Sequence, residues 1–477
     1  MDAPPADPAA PAEGAPARQG PQLLALALGF VMATLDVTIM NVAGAELRDG
    51  LGLSLSGLTW VVDGYVLAFA SLLLLAGSLA ARLGARRVYL VGLGLFTAAS
   101  LLCAAAPGAW ALVVGRLLQG AGAALFMPSS LTLLLASFPD ERRRTRVLGL
   151  WSAIVSTAAG LGPALGGLLV GGLGWRSIFL INIPVGVVGL LLARRVIAPV
   201  AGRPGPLGAA GHALGLLALG ALSYGLIEGP EKGWEAVEVL TAFAVALAAG
   251  AAFVLRERTA AVRVLPGALF ADPRFSAANA IGFLFNLGAY GGMFMLGLFL
   301  QNARGADPIE AGLQLLPTQL VFLVGNILYA RWGHRVSHRA ALVGSLLYAA
   351  VGPLALALTV SPETPYWVLA VLLSLFNTGL GIASPAMTGA LMTAAGRAHA
   401  DIASATLNAN RQVGSLVGIA VMGAVIAGAG GWYAGATASF ALTATAYLAA
   451  ALLAWWGLRA RTTGSGAEGA RPVADAG

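Results

Sequence analysis

Apolar runs of about twenty residues recur along almost the whole chain, and each is long enough to cross the hydrocarbon core of a bilayer as a helix. They lie at 22–42, 58–80, 87–106, 111–137, 146–172, 176–196, 207–227, 236–256, 274–301, 309–331, 338–359, 364–391, 404–429 and 432–459. Between them the 477 residues are 58% hydrophobic and only 10% charged. A water-facing surface normally needs about a quarter charged residues, so lipid must cover this one. The expected fold is all-α and integral to the membrane, with about fourteen spans. It divides into an N-terminal six-helix half (22–196), a central two-span insert with its loops (197–273) and a C-terminal six-helix half (274–459). The Pro- and Ala-rich residues 1–21 lack the apolar core of a signal peptide, and with residues 460–477 they are expected to be disordered cytoplasmic tails.

A net charge of +7 raises the question of nucleic acid, and the placement of the charges answers it. With the N-terminus inside, only Arg48, Arg176, Lys232 and Arg304 fall on outer connections, and Arg116 lies within a span. All other basic residues, Arg411 counted among them, go to the inner side. That is the positive-inside pattern, so the basic excess encodes orientation: both termini cytoplasmic, no nucleic-acid partner. The single cysteine, Cys103, sits inside an apolar run, and no cluster of Cys and His offers a metal site. HExxH, GxSxG and GxxxxGK[ST] are all missing from the sequence, which argues against an enzyme. Two related halves are indicated by an internal echo, Ala81-Arg82-Leu83-Gly84-Ala85-Arg86 after the second span and Ala330-Arg331-Trp332-Gly333-His334-Arg335 after the tenth.

Ionisable residues inside spans are the informative minority, because each costs about 2.5–3.5 kcal/mol to insert and must face protein or water. Asp36 in the first span, Asp63 in the second and Arg116 in the fourth fall at one depth, with Asp36 about 9 Å below the outer end of its helix. Together they predict one polar site. A buried carboxylate beside an arginine can take up and release a proton as access changes; a fixed pair that only ties helices together is the plainer alternative. Gln119 and Gly120 share the Arg116 face. In the fifth span, Gly162-Pro163-Ala164-Leu165-Gly166-Gly167 combines a helix-bending proline with glycines that permit close approach, and so predicts a hinge. Asn286, Gln301, Gln319, Asn326 and Asn377 are candidates to line a cavity in the C-terminal half, though each is more often an interhelical hydrogen bond. Phe285, Tyr290 and Phe294 could stack on an aromatic substrate, though such a stripe is usually packing. His212 and Glu228 are lesser titrating candidates.

The motifs in order resemble the major facilitator superfamily, in its fourteen-span drug:proton antiporter branch of multidrug and antibiotic exporters. Leu35-Asp36-Val37-Thr38-Ile39-Met40-Asn41-Val42-Ala43 is similar to the first-span signature, and Trp60-Val61-Val62-Asp63-Gly64-Tyr65 to the second-span opening. Gly115-Arg116-Leu117-Leu118-Gln119-Gly120-Ala121-Gly122 resembles the fourth-span arginine motif, and the run from Gly162 to Gly167 the antiporter motif. Gly174-Trp175-Arg176 through Asn182-Ile183-Pro184 looks like the following connection, and Arg411-Gln412-Val413-Gly414 like the start of span 13. The resemblance implies proton coupling through Asp36, modulated by Arg116, and attraction of cationic substrate by Asp63; Gln119, Asn41, Asn286, Phe285 and Tyr290 complete the candidates for substrate binding. It further implies a hinge at Gly162, Pro163, Gly166 and Gly167, and a gating loop with Gly77, Arg82, Gly84 and Arg86. Ala81 departs from the family, which usually carries aspartate there to hold the inner gate.

The expected function is export of small lipophilic, cationic or zwitterionic drugs or secondary metabolites across the bacterial cytoplasmic membrane in exchange for protons. No cofactor or metal is required, and no obligate protein partner is evident. A proton-independent facilitator or importer is the alternative, and a non-transporting membrane sensor a remote one.

Overall fold

The computed structural model describes residues 19–137, 141–199, 202, 207–265, 267–396 and 399–459. Of the tails expected at 1–21 and 460–477, residues 1–18 and 460–477 lie outside the described residues, whereas residues 19–21 already belong to the first helix. Every extended regular element among the described residues is an α-helix. In order they are α1 (Gln19–Leu51), α2 (Leu55–Leu83), α3 (Ala85–Ala104), α4 (Ala109–Ser137), α5 (Glu141–Leu173), α6 (Ser177–Leu180), α7 (Asn182–Val196), α8 (Ala209–Lys232) and α9 (Val237–Thr259). They continue as α10 (Gly267–Phe270), α11 (Pro273–Asn302), α12 (Pro308–Trp332), α13 (His338–Thr359), α14 (Tyr366–Ala395), α15 (Ala400–Gly428) and α16 (Trp432–Gly457). Among the described residues, fourteen segments are long and apolar enough to span a membrane, with α6 and α7 together making one.

Local chemistry sets the ends. Ser54, Asp272, Asp307 and Ser337 cap α2, α11, α12 and α13 by accepting from backbone N–H groups one to three residues into each helix. Pro273 and Pro308 occupy first helical positions, where a missing N–H is no loss. Gly84 alone joins α2 to α3 and adopts φ +92°, a conformation that disfavours any side chain. The sixth span is interrupted at Ile181, between α6 and α7, where the ring of Pro184 lacks an N–H for the Leu180 carbonyl four residues earlier and crowds it.

An even number of spans puts Gln19 and Leu458 at the same end of the bundle, here called the terminal face, and the opposite end the distal face. A large core joins α1 to α7 with residues of α11 and α15, and two further clusters lie mainly among α11 to α16. Helix α9 stands outside both, burying only Val239 and Ala249. The two groups of helices meet near the distal face. A Cβ at Gly297 would overlap the Asn41 carbonyl, one at Gly167 the Pro308 carbonyl, and one at Gly312 the Pro163 carbonyl. Gln301 Nε2 donates to the Val42 carbonyl at 2.9 Å, and Gly423 packs against Thr59. These contacts bring the two groups of helices together near the distal face.

One basic residue departs from its expected position. Arg411 stands about 16 Å along α15 from Ala400, well inside the helix rather than at the surface where the arginine pattern put it. Hydropathy tolerates one arginine in a long apolar window, and the neighbouring Asn408, Asn410 and Gln412 make the inner end of that helix look like a connection.

Candidate functional site

Asp36 and Arg116 form an ion pair sealed from solvent, at 4% and 1% exposure. Arg116 Nη1 donates to Asp36 Oδ2 at 2.5 Å and to Gln119 Oε1 at 3.0 Å, while Nε donates to the Val61 carbonyl at 3.0 Å. The other carboxylate oxygen, Asp36 Oδ1, accepts from Gln119 Nε2 at 3.3 Å and Asn182 Nδ2 at 3.1 Å. Gln119 Nε2 also donates to Ser100 Oγ at 2.8 Å, and Cys103 Sγ donates to Gln119 Oε1 at 3.3 Å. The guanidinium carbon lies 4.6 Å from the Tyr65 ring centre and 5.9 Å from that of Phe179. Charge, hydrogen bonds and aromatic faces from α1, α2, α3, α4, α6 and α7 thus converge on one point. A buried pair is tolerable only when its remaining lone pairs and protons are satisfied in this way.

The residues gather here for local reasons. Arg116 and Gln119 share a face of α4 at a spacing of three. Gly120, on the same helix, lets α4 close on α2, since a Cβ there would overlap the Tyr65 carbonyl. The break before α7 frees the start of that helix, and Asn182 turns inward to reach Asp36. Ser100, Cys103 and Asn182 were not singled out from sequence. Their signal was slight: a serine and a cysteine in an apolar span, and an asparagine just before Ile183-Pro184.

Beside the pair lies a small central cavity lined by Val37, Met40, Asn41, Val62, Tyr65, Val66, Arg116, Tyr290 and Ile419. Its accessible volume of about 10 Å³ is roughly the room one water needs. Arg116 contributes to the lining and Asp36 does not, so the arginine stands between the cavity and the acid. Whatever changes in the cavity is felt by Asp36 through Arg116.

Asp63 lies apart from this network. Arg116 bonds to the Val61 carbonyl, so Asp63 is at the same level, yet Val62, Tyr65 and Val66 are the α2 residues that meet the cavity. Asp63 is fully buried, and neither of its oxygens has a hydrogen-bond partner. One turn towards the distal face, Thr59 packs on Gly423 of α15, and Trp60 donates to Glu228 of α8 at 2.8 Å. That puts Asp63 on the α2 face turned to α8 and α15. Asp63→Asn exchanges one unpartnered buried polar side chain for another of the same size, so the melting temperature of the detergent-solubilised protein is expected to change little, and a clear fall would reveal a partner for the carboxylate.

The remaining candidates divide between cavity, packing and surface. Asn41 and Tyr290 line the cavity. Asn286 is buried and donates to the Gly282 carbonyl at 3.0 Å. Phe285 is a core residue, set edge-on to Tyr447 at 6.3 Å with the Arg411 guanidinium over its ring. Phe294 is likewise core. Gly162 and Gly166 let α5 close on Thr38 and Ile39 of α1, while Gly167 meets α12. Pro163 stands within a continuous α5, with its carbonyl against Gly312. The expected gating loop is mostly helix: Gly77 and Arg82 belong to the last turns of α2 and Arg86 to the first turn of α3, because Gly84 alone makes the turn. Gly77 is exposed with open space around it, and the Arg82 carbonyl packs on Gly202. Arg86 Nη2 donates to the Arg194 carbonyl at 2.8 Å, fastening α3 to α7. Arg411 and Gln412 are half-buried on α15. Among the described residues no group of three or more His, Cys, Asp or Glu could hold a metal.

The sequence profile described as Major Facilitator Superfamily matches residues 26–419. A methylenomycin A resistance protein from Streptomyces coelicolor is 54% identical over 436 residues, covering 91% of this chain and 92% of that protein. The methylenomycin A resistance protein of Bacillus subtilis is 51% identical, covering 94% and 96%. A tetracenomycin C resistance and export protein from Streptomyces glaucescens is 33% identical, covering 87% and 78%. These names and this family indicate a transporter rather than an enzyme. Shared over nearly their whole lengths, such similarity leaves no doubt of kinship: the chain belongs to the Major Facilitator Superfamily, alongside antibiotic-resistance exporters.

Proposed function

We propose that this protein exports small lipophilic antibiotics or related metabolites across the bacterial cytoplasmic membrane in exchange for protons, with its termini in the cytoplasm. The observation that carries this is the buried Asp36–Arg116 pair with Arg116 at the wall of the central cavity. In that geometry, protonation of Asp36 releases Arg116, and a substrate or water that engages Arg116 weakens its hold on the acid. Proton and substrate then compete through one guanidinium, which is the thermodynamic requirement of antiport. Asp36 is the proton carrier in this scheme and Arg116 its modulator. The gradient is the energy source, and no cofactor enters.

Orientation follows from Arg82, Arg86, Arg194, Arg256, Arg331 and Arg339 at the terminal face. The close contacts between the two groups of helices near the distal face then correspond to a state closed towards the outside. The resistance and export functions in the names of its relatives support the same direction. Neither acid of the N-terminal half offers free negative charge to the cavity, since Asp36 is matched by Arg116 and Asp63 lies off it. Affinity for cations therefore has no support from these two residues.

Inverted membrane vesicles test the proposal. With the interior acidified, vesicles bearing the protein should accumulate an antibiotic to which it confers resistance, and a protonophore should abolish accumulation. Uptake that simply follows the drug gradient and ignores the protonophore would overturn antiport in favour of facilitated diffusion.

A further inference from the structure

Arg411 is a charge in search of a partner. Its guanidinium carbon lies 5.7 Å from the Phe285 ring centre, and its stem packs beside Gly282, all deep in the C-terminal group of helices. The acids of that group, Asp272, Asp307, Glu310, Glu363 and Asp401, stand at helix ends or in connections. Among the described residues no ion pair includes Arg411. Arg116, the other arginine at comparable depth, is closed by Asp36. A solitary cation within a span must face water or a counter-charge.

The surface of α15 indicates which. Gly414 and Gly418 pack on the Phe283 and Leu287 carbonyls of α11, and Gly423 packs on Thr59 of α2. At 100° per residue, the sector between these two contact faces carries Asp401, Ser404, Asn408, Gln412, Ser415 and Ile419, and above them Met422 and Ile426. Ser404 and Asn408 are exposed, and Ile419 lines the central cavity. Arg411 sits at the border of this sector and the α11 face. The part of this sector nearer the terminal face is polar from Ser404 to Gln412, with Arg411 at its border, and about two turns beyond Arg411, Ile419 lines the cavity where Tyr290 stands. Along that route Arg411 is the one charge among the described residues that no carboxylate matches.

We propose that Arg411 is an anion-recognising residue of the translocation path, and that the molecules carried pair a carboxylate or equivalent anionic group with an apolar body. The anion docks on the guanidinium, which Phe285 holds from behind. The apolar body extends towards Tyr290 and the central cavity. This rests on the export proposal only for the direction of movement; the binding preference stands without it.

The test uses purified full-length protein in nanodiscs, without a gradient, titrated with 4-phenylbutyrate, its methyl ester and 4-phenylbutylamine at neutral pH. A charge-assisted contact predicts that the acid binds at least about tenfold more tightly than the ester or the amine. Arg411→Gln should erase that preference, and Arg411→Lys should retain much of it while showing that the site tolerates substitution. Equal binding of the three probes, preference for the amine, no measurable binding of the acid, or an unchanged preference in Arg411→Gln would each overturn the proposal. Because no pH gradient is present, a failure here is separable from a failure of antiport in vesicles.

Discussion

Asp36→Asn protein should lose pH-driven drug accumulation in inverted vesicles by at least about a hundredfold, and should also melt at a lower temperature than the native protein. Both effects follow from the environment of the carboxylate. Asparagine keeps the size of the side chain but presents one acceptor and one donor. The oxygen that accepts from Gln119 and Asn182 or the one that accepts from Arg116 must be replaced by an N–H that faces donors. Arg116 is left buried without its counter-charge, and breaking a buried pair in this way costs about 3–5 kcal/mol. Loss of stability alone could therefore imitate loss of coupling. The double replacement Asp36→Asn with Arg116→Gln separates the two, because it removes both charges and leaves a neutral hydrogen-bonded cluster. That protein should regain most of the melting temperature and still accumulate no drug in response to a pH gradient. Coupled exchange that survives in either protein would remove Asp36 from the proton path.

The spans were legible because lipid leaves the backbone no choice. Each apolar run must satisfy its own N–H and C=O groups, and helices do so. The ends were harder to read. Hydropathy stops the first span at residue 42, yet α1 continues to Leu51 through Glu46 and Arg48. Those residues lie near the membrane surface, where hydrogen bonding extends a helix beyond its apolar length. The broken sixth span was written in Pro184, but its purpose, to free Asn182, depends on a contact 146 residues away. The charge pair itself was legible, since two opposite charges at one depth have strong reason to meet. What sequence could not give was azimuth. Asp63 is level with Arg116, and only the packing of α2 against α8 and α15 reveals that it points away from the cavity. Arg411 was obscured for the opposite reason: its polar neighbours imitate a surface segment, although Asn410 donates to the Asn279 carbonyl of α11 within the bundle.

Gly167→Val should stop transport by a different route, leaving the charge network untouched. At the distal face α5 and α12 meet almost backbone to backbone, with Gly167 against the Pro308 carbonyl and Gly312 against the Pro163 carbonyl. Neither proline carbonyl can retreat without moving its helix, so a valine side chain must push the two helices apart. Overpacking of this kind costs about 1–3 kcal/mol, and it falls only on the distally sealed state. The equilibrium between sealed and open states should therefore shift by roughly 5- to 150-fold. A cysteine placed at Asn41, beneath the seal, reports the shift. In Gly167→Val it should react about tenfold faster or more with an impermeant maleimide applied from the distal side, while drug accumulation falls by a similar factor. Gly172→Val is the control, because nothing lies within 4 Å of a Cβ there, and it should transport and label like the native protein. If Gly167→Val did the same, the α5–α12 contact would be mere packing. If it labels faster and transports less, the glycines of the fifth span act at the seal, where their small size lets two halves of the molecule close and part again.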